Sequence, residues 1–330
     1  MERNDFIQQL EQARKEGLVP DFTGVDLSGL NLSGLDLQKV KFTEANLSGA
    51  DLSKANLTGA PLDKANLAGA YLVQANLTSA QLTYAKLNGA NLSQANLSQA
   101  KFNFAELSLA DLSQADLTSA DLTSADLSQA MFKRAIFFHT VMTSVNAPEA
   151  NLSATVLQSV RLNSANLRQA KLVKTIFHTT VLTSADLSGS DLTQADFFNT
   201  TANNVNFCGA ICKQTNFCKA TTLDGTNLSQ LDLRGSNFSG LSLTNVNLKN
   251  TDLRESILTG ANLTNANLVG ANLSHACFAL ANLTNANLAR AILKETNFIR
   301  ANLSGVNLYK VMLDGADFEL ATLPDGTLEA

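Results

Sequence analysis

Three histidines, His139, His178 and His275, and four cysteines, Cys208, Cys212, Cys218 and Cys277, are the residues of this chain best suited to ligate a metal or act as a nucleophile. A zinc site gathers three or four such ligands, often through a pairing such as HExxH. None of the histidines has a partner at that spacing. Cys208, Cys212 and Cys218 read C-x3-C-x5-C, a pattern useful to a metal only if the fold brings them to one face. No glycine-rich phosphate loop with its lysine and no Ser-His-Asp arrangement is visible. The expectation is no enzyme, no catalytic, cofactor or metal site, and free structural cysteines.

Composition points elsewhere. Leu, Ala, Asn, Ser and Thr crowd out other residues, and only 16% are charged against a usual ~25%. The formal net charge of −5 is small for 330 residues, which argues against nucleic acid as a partner. No stretch reaches the ~18 apolar residues of a membrane span. The start, MERNDFIQQLEQARKEGL, lacks the apolar run of a secretory signal. A cytoplasmic protein with no membrane contact is expected, and four cysteines are too few for a disulfide framework.

A large apolar residue recurs at nearly every fifth position. The series runs from Phe22, Leu27 and Leu32 to Phe217, then from Leu223 to Leu328, and all but Met142, Ala147, Ala202 and Cys212 are Leu or Phe. Two residues before most such centres stands a small residue, Ala without exception from Ala45 to Ala135, and between the two is most often Asn or Asp. Five fits neither the 3.6 of a helix nor the 2 of a strand. It fits one side of a stacked coil, with the small residue and the centre pointing inward and the other three positions outward or turning a corner.

The phenylalanines give the number of sides, because rings stack best on rings in one column. Phe137, Phe177, Phe197 and Phe217, and later Phe238, Phe278, Phe298 and Phe318, are spaced within each group by multiples of twenty. Four sides of five residues make one coil. On that projection Cys208, Cys212 and Cys218 fall on three different sides, with Cys212 inward. In NFCKATTLDGTNL the beat slips by one residue between Phe217 and Leu223. Phe238 follows Phe217 by twenty-one, so the column resumes on the same side, as a corner widened by one residue at about 220–222 would allow.

Stretches such as ANLSGADLSKANLTGA and ADLSQADLTSADLTSADLSQA resemble the A(D/N)LXX signature of the pentapeptide-repeat family, over about residues 20 to 328. The resemblance implies an all-β solenoid, a right-handed quadrilateral β-helix, here of about fifteen coils, and a chain similar to cyanobacterial members of the family. Residues 1–19 read as a cap and lead-in, with a helix over 4–16, Asn4 or Asp5 as its N-cap and Phe6, Ile7, Leu10 and Ala13 on one face. Residues 20–328 read as one continuous β-helix. The C-terminal stretch LPDGTLEA covers its end poorly, leaving self-association there as one reading and a frayed last coil as the other.

Between 131 and 220 the repeat departs from its own rule. The position before the centre turns apolar at Met131, Ile136, Val141, Val156, Ile176 and Val181. Ile136, Val156 and Ile176 project onto one side, flanked by Phe138, His139, His178 and Phe198. This strip is either a partner or self-association surface or is covered by a loop or distorted coil near Ala147-Pro148. A basic ladder, Lys213, Arg234, Arg254 and Lys294, could take an anionic partner, or be neutralised by Glu255 and Glu295. Asp111, Asp116, Asp121 and Asp126 ring one coil as a solvated face. The functional expectation is a non-enzymatic protein-interaction scaffold or regulator that binds an unidentified protein along one side. The alternative is a DNA mimic binding DNA gyrase, as the resemblance to quinolone-resistance pentapeptide proteins implies; length, modest charge and the basic ladder depart from those.

Overall fold

The computed structural model describes residues 1–217 and 222–328. Contacts divide the chain into two compact units, Met1–Asn166 and Leu167–Ala330. In both, the sequence rule of five becomes a five-residue side: one bridge residue, the inward centre, two turn residues and the inward small residue. The bridges are parallel except for Thr322↔Leu328, and away from the break in rhythm each parallel bridge joins a residue to the one twenty later, as in Asn46↔Asn66 and Asn247↔Asn267. Four sides per coil follow directly, and the sides are β bridges rather than extended strands.

The turn explains the residue preferences. In the first unit the centre's carbonyl accepts from the small residue's N–H three positions on, as from Ala45 to Phe42 at 2.9 Å. The second turn residue takes positive φ, for example 59° at Lys54 and 60° at Gln94, as a type II turn requires. Each non-glycine residue there carries strain of order 1–2 kcal/mol. Its N–H in return bonds the next coil, as Lys54 to Val73 at 2.9 Å. The Asn or Asp before the centre is no idle solvent-facing residue. Its Oδ1 accepts the N–H, and often the hydroxyl, of the Ser or Thr two residues on: Thr58 N at 3.2 Å and Oγ1 at 2.6 Å for Asn56. This Asx turn ties A-(N/D)-L-(S/T) together as one local unit.

The first unit also holds helix α1, Arg3–Lys15. Its N-cap is Glu2, without a side-chain cap bond, so neither Asn4 nor Asp5 serves as expected; both lie inside the helix. Phe6 and Leu10 are buried, with Phe6 on Phe22 at 4.3 Å between ring centroids. Ile7 and Ala13 are half-buried. The helix supplies donors to carbonyls at the edge of the first coil: the Met1 amine to Asp26 at 3.4 Å, Arg3 Nε to Asn31 at 2.7 Å and an Arg14 guanidinium nitrogen to Asp36 at 2.6 Å.

The second unit contains the break in rhythm. Bridges step by twenty at Asp196↔Asn216, by twenty-one at Thr201↔Thr222 and Asn206↔Asn227, and by twenty again at Asn227↔Asn247. Phe197, Phe217 and Phe238 stack at 5.1 and 5.5 Å. Ala220 and Thr221, where the corner was expected to widen, lie outside the described residues, and Thr222 is the first residue after them. Where Ala yields to Thr at the small position, the hydroxyl donates to a buried carbonyl: Thr140 to Leu117 at 2.8 Å in the first unit, Thr215 to Leu192 at 2.8 Å in the second. Among the described residues no buried side-chain polar atom lacks a partner.

Leu97 is fully buried. Leu97→Asp replaces its hydrophobic contribution with an uncompensated charge and is expected to cost more than about 4 kcal/mol. Equilibrium urea unfolding checks this, and an unchanged midpoint would sink the inward assignment.

Candidate interaction surface

In the first unit Ile136 and Val156 face each other across a parallel bridge and are 52% and 46% exposed, with Phe138 at 39%. The Phe138 ring meets His139 edge-on at 4.1 Å. A groove of about 270 Å³ runs between Arg134, Ile136, Phe138, Ala154, Val156 and Gln158. The Ala147-Pro148 stretch keeps the coil: Ala147 is buried, Asn146 bridges Asp126, and the Pro148 carbonyl accepts from Gln129 at 2.9 Å. It does not distort into a cover.

The preceding coil explains how these positions differ from the rest. Elsewhere an Asn side chain donates to the Asx oxygen one coil earlier, as Asn46 to Asp26 at 2.8 Å and Asn146 to Asp126 at 3.0 Å. Met131, Ile136 and Val141 bridge Asp111, Asp116 and Asp121 and have nothing to donate. Those carboxylates are half-buried and serve their own turns, through Ser113 N, Thr118 N and Thr123 N at 2.9 Å each.

In the second unit Ile176 and His178 are half-buried rather than exposed, and Phe198 is exposed. Ile176 bridges Asp196, whose carboxylate lies 3.4 Å from His178 Nε2, and the His178 ring stands edge-on to Phe198 at 5.4 Å. His178 and Asp196 therefore partly satisfy each other.

The basic ladder is compensated from an unexpected quarter. Arg234 lies side-on to Asp232 at 2.8 and 2.7 Å, and Arg254 to Asp252 at 2.9 and 2.6 Å. These bonds hold both carboxyls below their ordinary range and raise both guanidinium pKa values. Glu255, expected to neutralise the ladder, makes no ion pair among the described residues; Glu295 lies 3.9 Å from Lys294 and 3.2 Å from His275. The D-L-R triplets at 232–234 and 252–254 were the signal, since the Asx turn folds the first residue onto the third. Lys213 has no ion pair among the described residues.

Sequence reasoning also passed over Tyr84 and Phe104. They occupy the positive-φ corner position, are about half exposed, and stack at 5.0 Å. The available signal was three large residues, with Leu109, where the repeat otherwise prefers small or polar ones.

Cys208 and Cys277 are half-buried and Cys212 is buried, its thiol pushed up to about 12 by burial; Cys218 lies outside the described residues. No group of three metal-ligating side chains forms among the described residues, and no described helix is long and apolar enough to cross a membrane. A thiol titrating near 12 leaves about one in ten thousand ionised at pH 8. Iodoacetamide at pH 8 is therefore expected to label Cys208 and Cys277 in the native protein while sparing Cys212 until it unfolds. Mass spectrometry showing Cys212 labelled first would overturn its buried placement.

The family model described as Pentapeptide repeats (8 copies) matches in consecutive segments from 21–59 to 281–319. Similar solved structures include HetL, a pentapeptide repeat protein involved in heterocyst differentiation regulation from the cyanobacterium Nostoc sp. strain PCC 7120, with 23% identity over 100% of both chains and a TM-score of 0.32. Rfr23, from the cyanobacterium Cyanothece 51142, is 30% identical over 40% of this chain and 86% of its own, with a TM-score of 0.23. Full-length QnrB1, a plasmid-mediated fluoroquinolone resistance protein, is 19% identical over 59% of this chain and 92% of its own, with a TM-score of 0.23. Comparison with curated proteins gives no match.

Proposed function

Since the chain belongs to the pentapeptide-repeat family, with the right-handed quadrilateral β-helix that membership implies, we propose that it is a non-enzymatic scaffold that binds a protein partner. The observation that carries this reading is the exposed ledge of Ile136, Phe138 and Val156. Each stands where the repeat elsewhere places a residue that bonds its own turn or its neighbouring coil. An apolar residue there gives up bonds worth ~0.5–1.5 kcal/mol each and exposes carbon to water. Contiguous exposed apolar surface of this kind marks contact sites. Phe198, with the half-buried Ile176 and His178, offers a second contact in the other unit. The filled core leaves side chains little concave room to converge on a substrate.

The same logic supplies a test free of folding artefacts. Ile136→Asn, Phe138→Ser and Val156→Asn together restore the repeat, so the unfolding free energy from urea titration should hold or rise by up to about 1 kcal/mol per restored bond. Affinity purification from the source cells should then lose a partner that the parent protein retains. Equal capture by the two forms would remove the interaction reading at this ledge. Added to a gyrase supercoiling reaction, the protein is expected to leave the rate unchanged; inhibition or protection would favour DNA mimicry instead.

A further inference from the structure

The groove in the first unit is not uniformly apolar, and its one charge specifies what it can hold. Ile136 and Val156 on successive coils form its floor, Phe138 closes one edge and Arg134 stands at the other. Arg134 occupies a corner position at φ 61°, and the corresponding corner one coil later is Ala154, at φ 55°. Corner residues elsewhere reach across coils to one another, as Gln74 does to Gln94 at 2.8 Å. Nothing on Ala154 can reach Arg134, and the groove opens over it.

Arg134 and its neighbour Lys133 are exposed and have no ion-pair partner among the described residues. Asp116, on the preceding coil beneath Ile136, accepts from Thr118 N and Oγ1 at 2.9 and 2.5 Å and does not pair with Arg134. Arg234 and Arg254, by contrast, are each engaged by an aspartate of their own turn. Arg234 and Arg254 directly follow their centres and fold back on the aspartate before them, whereas Arg134 stands one residue further on, at the corner, and Met131 holds the position of that aspartate in its side, so no such partner is available to it. A guanidinium stays charged at any physiological pH, and its fork matches a carboxylate.

We propose that this groove binds an acidic, apolar segment of a partner protein: an aliphatic or aromatic side chain enters between Ile136, Phe138 and Val156, an adjacent Asp or Glu meets Arg134, and Gln158 is placed to bond the segment's backbone. The inference rests on the scaffold reading and adds to it the chemistry of the partner. Binding of this kind weakens with salt, because the rim charge is exposed.

Three terminally blocked peptides test it against protein carrying 13C-labelled isoleucine methyls, with the Ile136 signal assigned through Ile136→Val. The probes are Ser-Glu-Phe-Asp-Leu-Glu-Ser-Gly, a counterpart with Lys for each acidic residue, and one with Ala for Phe and Leu. The acidic apolar peptide should shift the Ile136 methyl saturably, and Arg134→Gln should weaken it by about tenfold. The other two should bind at least tenfold more weakly. Equal binding of the acidic and basic peptides, or a preference for the basic one, would overturn the charge assignment, the latter pointing to Asp111 and Asp116 as the recognition groups. No Ile136 shift with any peptide would overturn the groove as their site. If the cellular partner is still lost with the ledge variant, the scaffold reading survives that failure; if capture is also unaffected, both fall.

Discussion

A chain that turns every fifth residue must hand its backbone bonds to the coil before and the coil after. In regular coils each side sends two N–H donors forward, from the centre and the second turn residue, and receives one back: Leu47 to Asn66 at 2.7 Å, Gly49 to Ala68 at 2.9 Å, and Asn66 to Ala45 at 2.9 Å. These leave no length for an ordinary strand, and they fix which residues face in. The inward position before each centre is mostly filled by Ala, and Val or Leu fills it at positions such as Val40, Val145, Leu231 and Leu241, all buried. Where Asn or Asp stands before the centre, its side chain accepts the first turn N–H, which the ladder leaves free, as Asn46 does from Ser48. Once this is met, identical sides add without further design.

That economy makes departures from the repeat informative, in opposite directions. Asp232 with Arg234 and Asp252 with Arg254 look in projection like a charged stripe, yet each pair closes within one turn, leaving little field to attract a distant anion. Ile136 and Val156 look like minor substitutions, yet they remove acceptor, donor and polarity together at positions where every other function of the residue is local. A position with so few structural demands is the place where surface chemistry can change at small cost to the fold.

Much of this was legible in the sequence because closed cores leave volume no freedom. The Phe column reports four sides directly, and the twenty-one residues from Phe217 to Phe238 report that the column survives the inserted residue. What escaped sequence reading was orientation within a turn. Projecting onto sides emphasises stacking between coils and so points to Glu255 and Glu295 as the ladder's counter-charges; Glu295 does lie beside Lys294, but the two arginines are held by Asp232 and Asp252. The same projection treated Ile176 and His178 as exposed like Ile136, without weighing the Asp196 side chain and Phe198 ring one coil on. The N-cap of α1 was misassigned for a related reason: local capping rules pointed to Asn4 or Asp5, whereas the start of the helix is bound up with its docking on the first coil through the Met1 amine, Arg3 and Phe6.

The docking of α1 also has a directional meaning. Because a regular side sends two donors forward and receives one, its trailing edge is acceptor-rich and its leading edge donor-rich. A cap for the first coil must therefore bring cations and amines, as Met1, Arg3 and Arg14 do, and the same helix placed against a leading edge would meet donors with donors. Chain polarity is thus written into the two edges as chemical polarity, and a cap of this kind can seal only one of them.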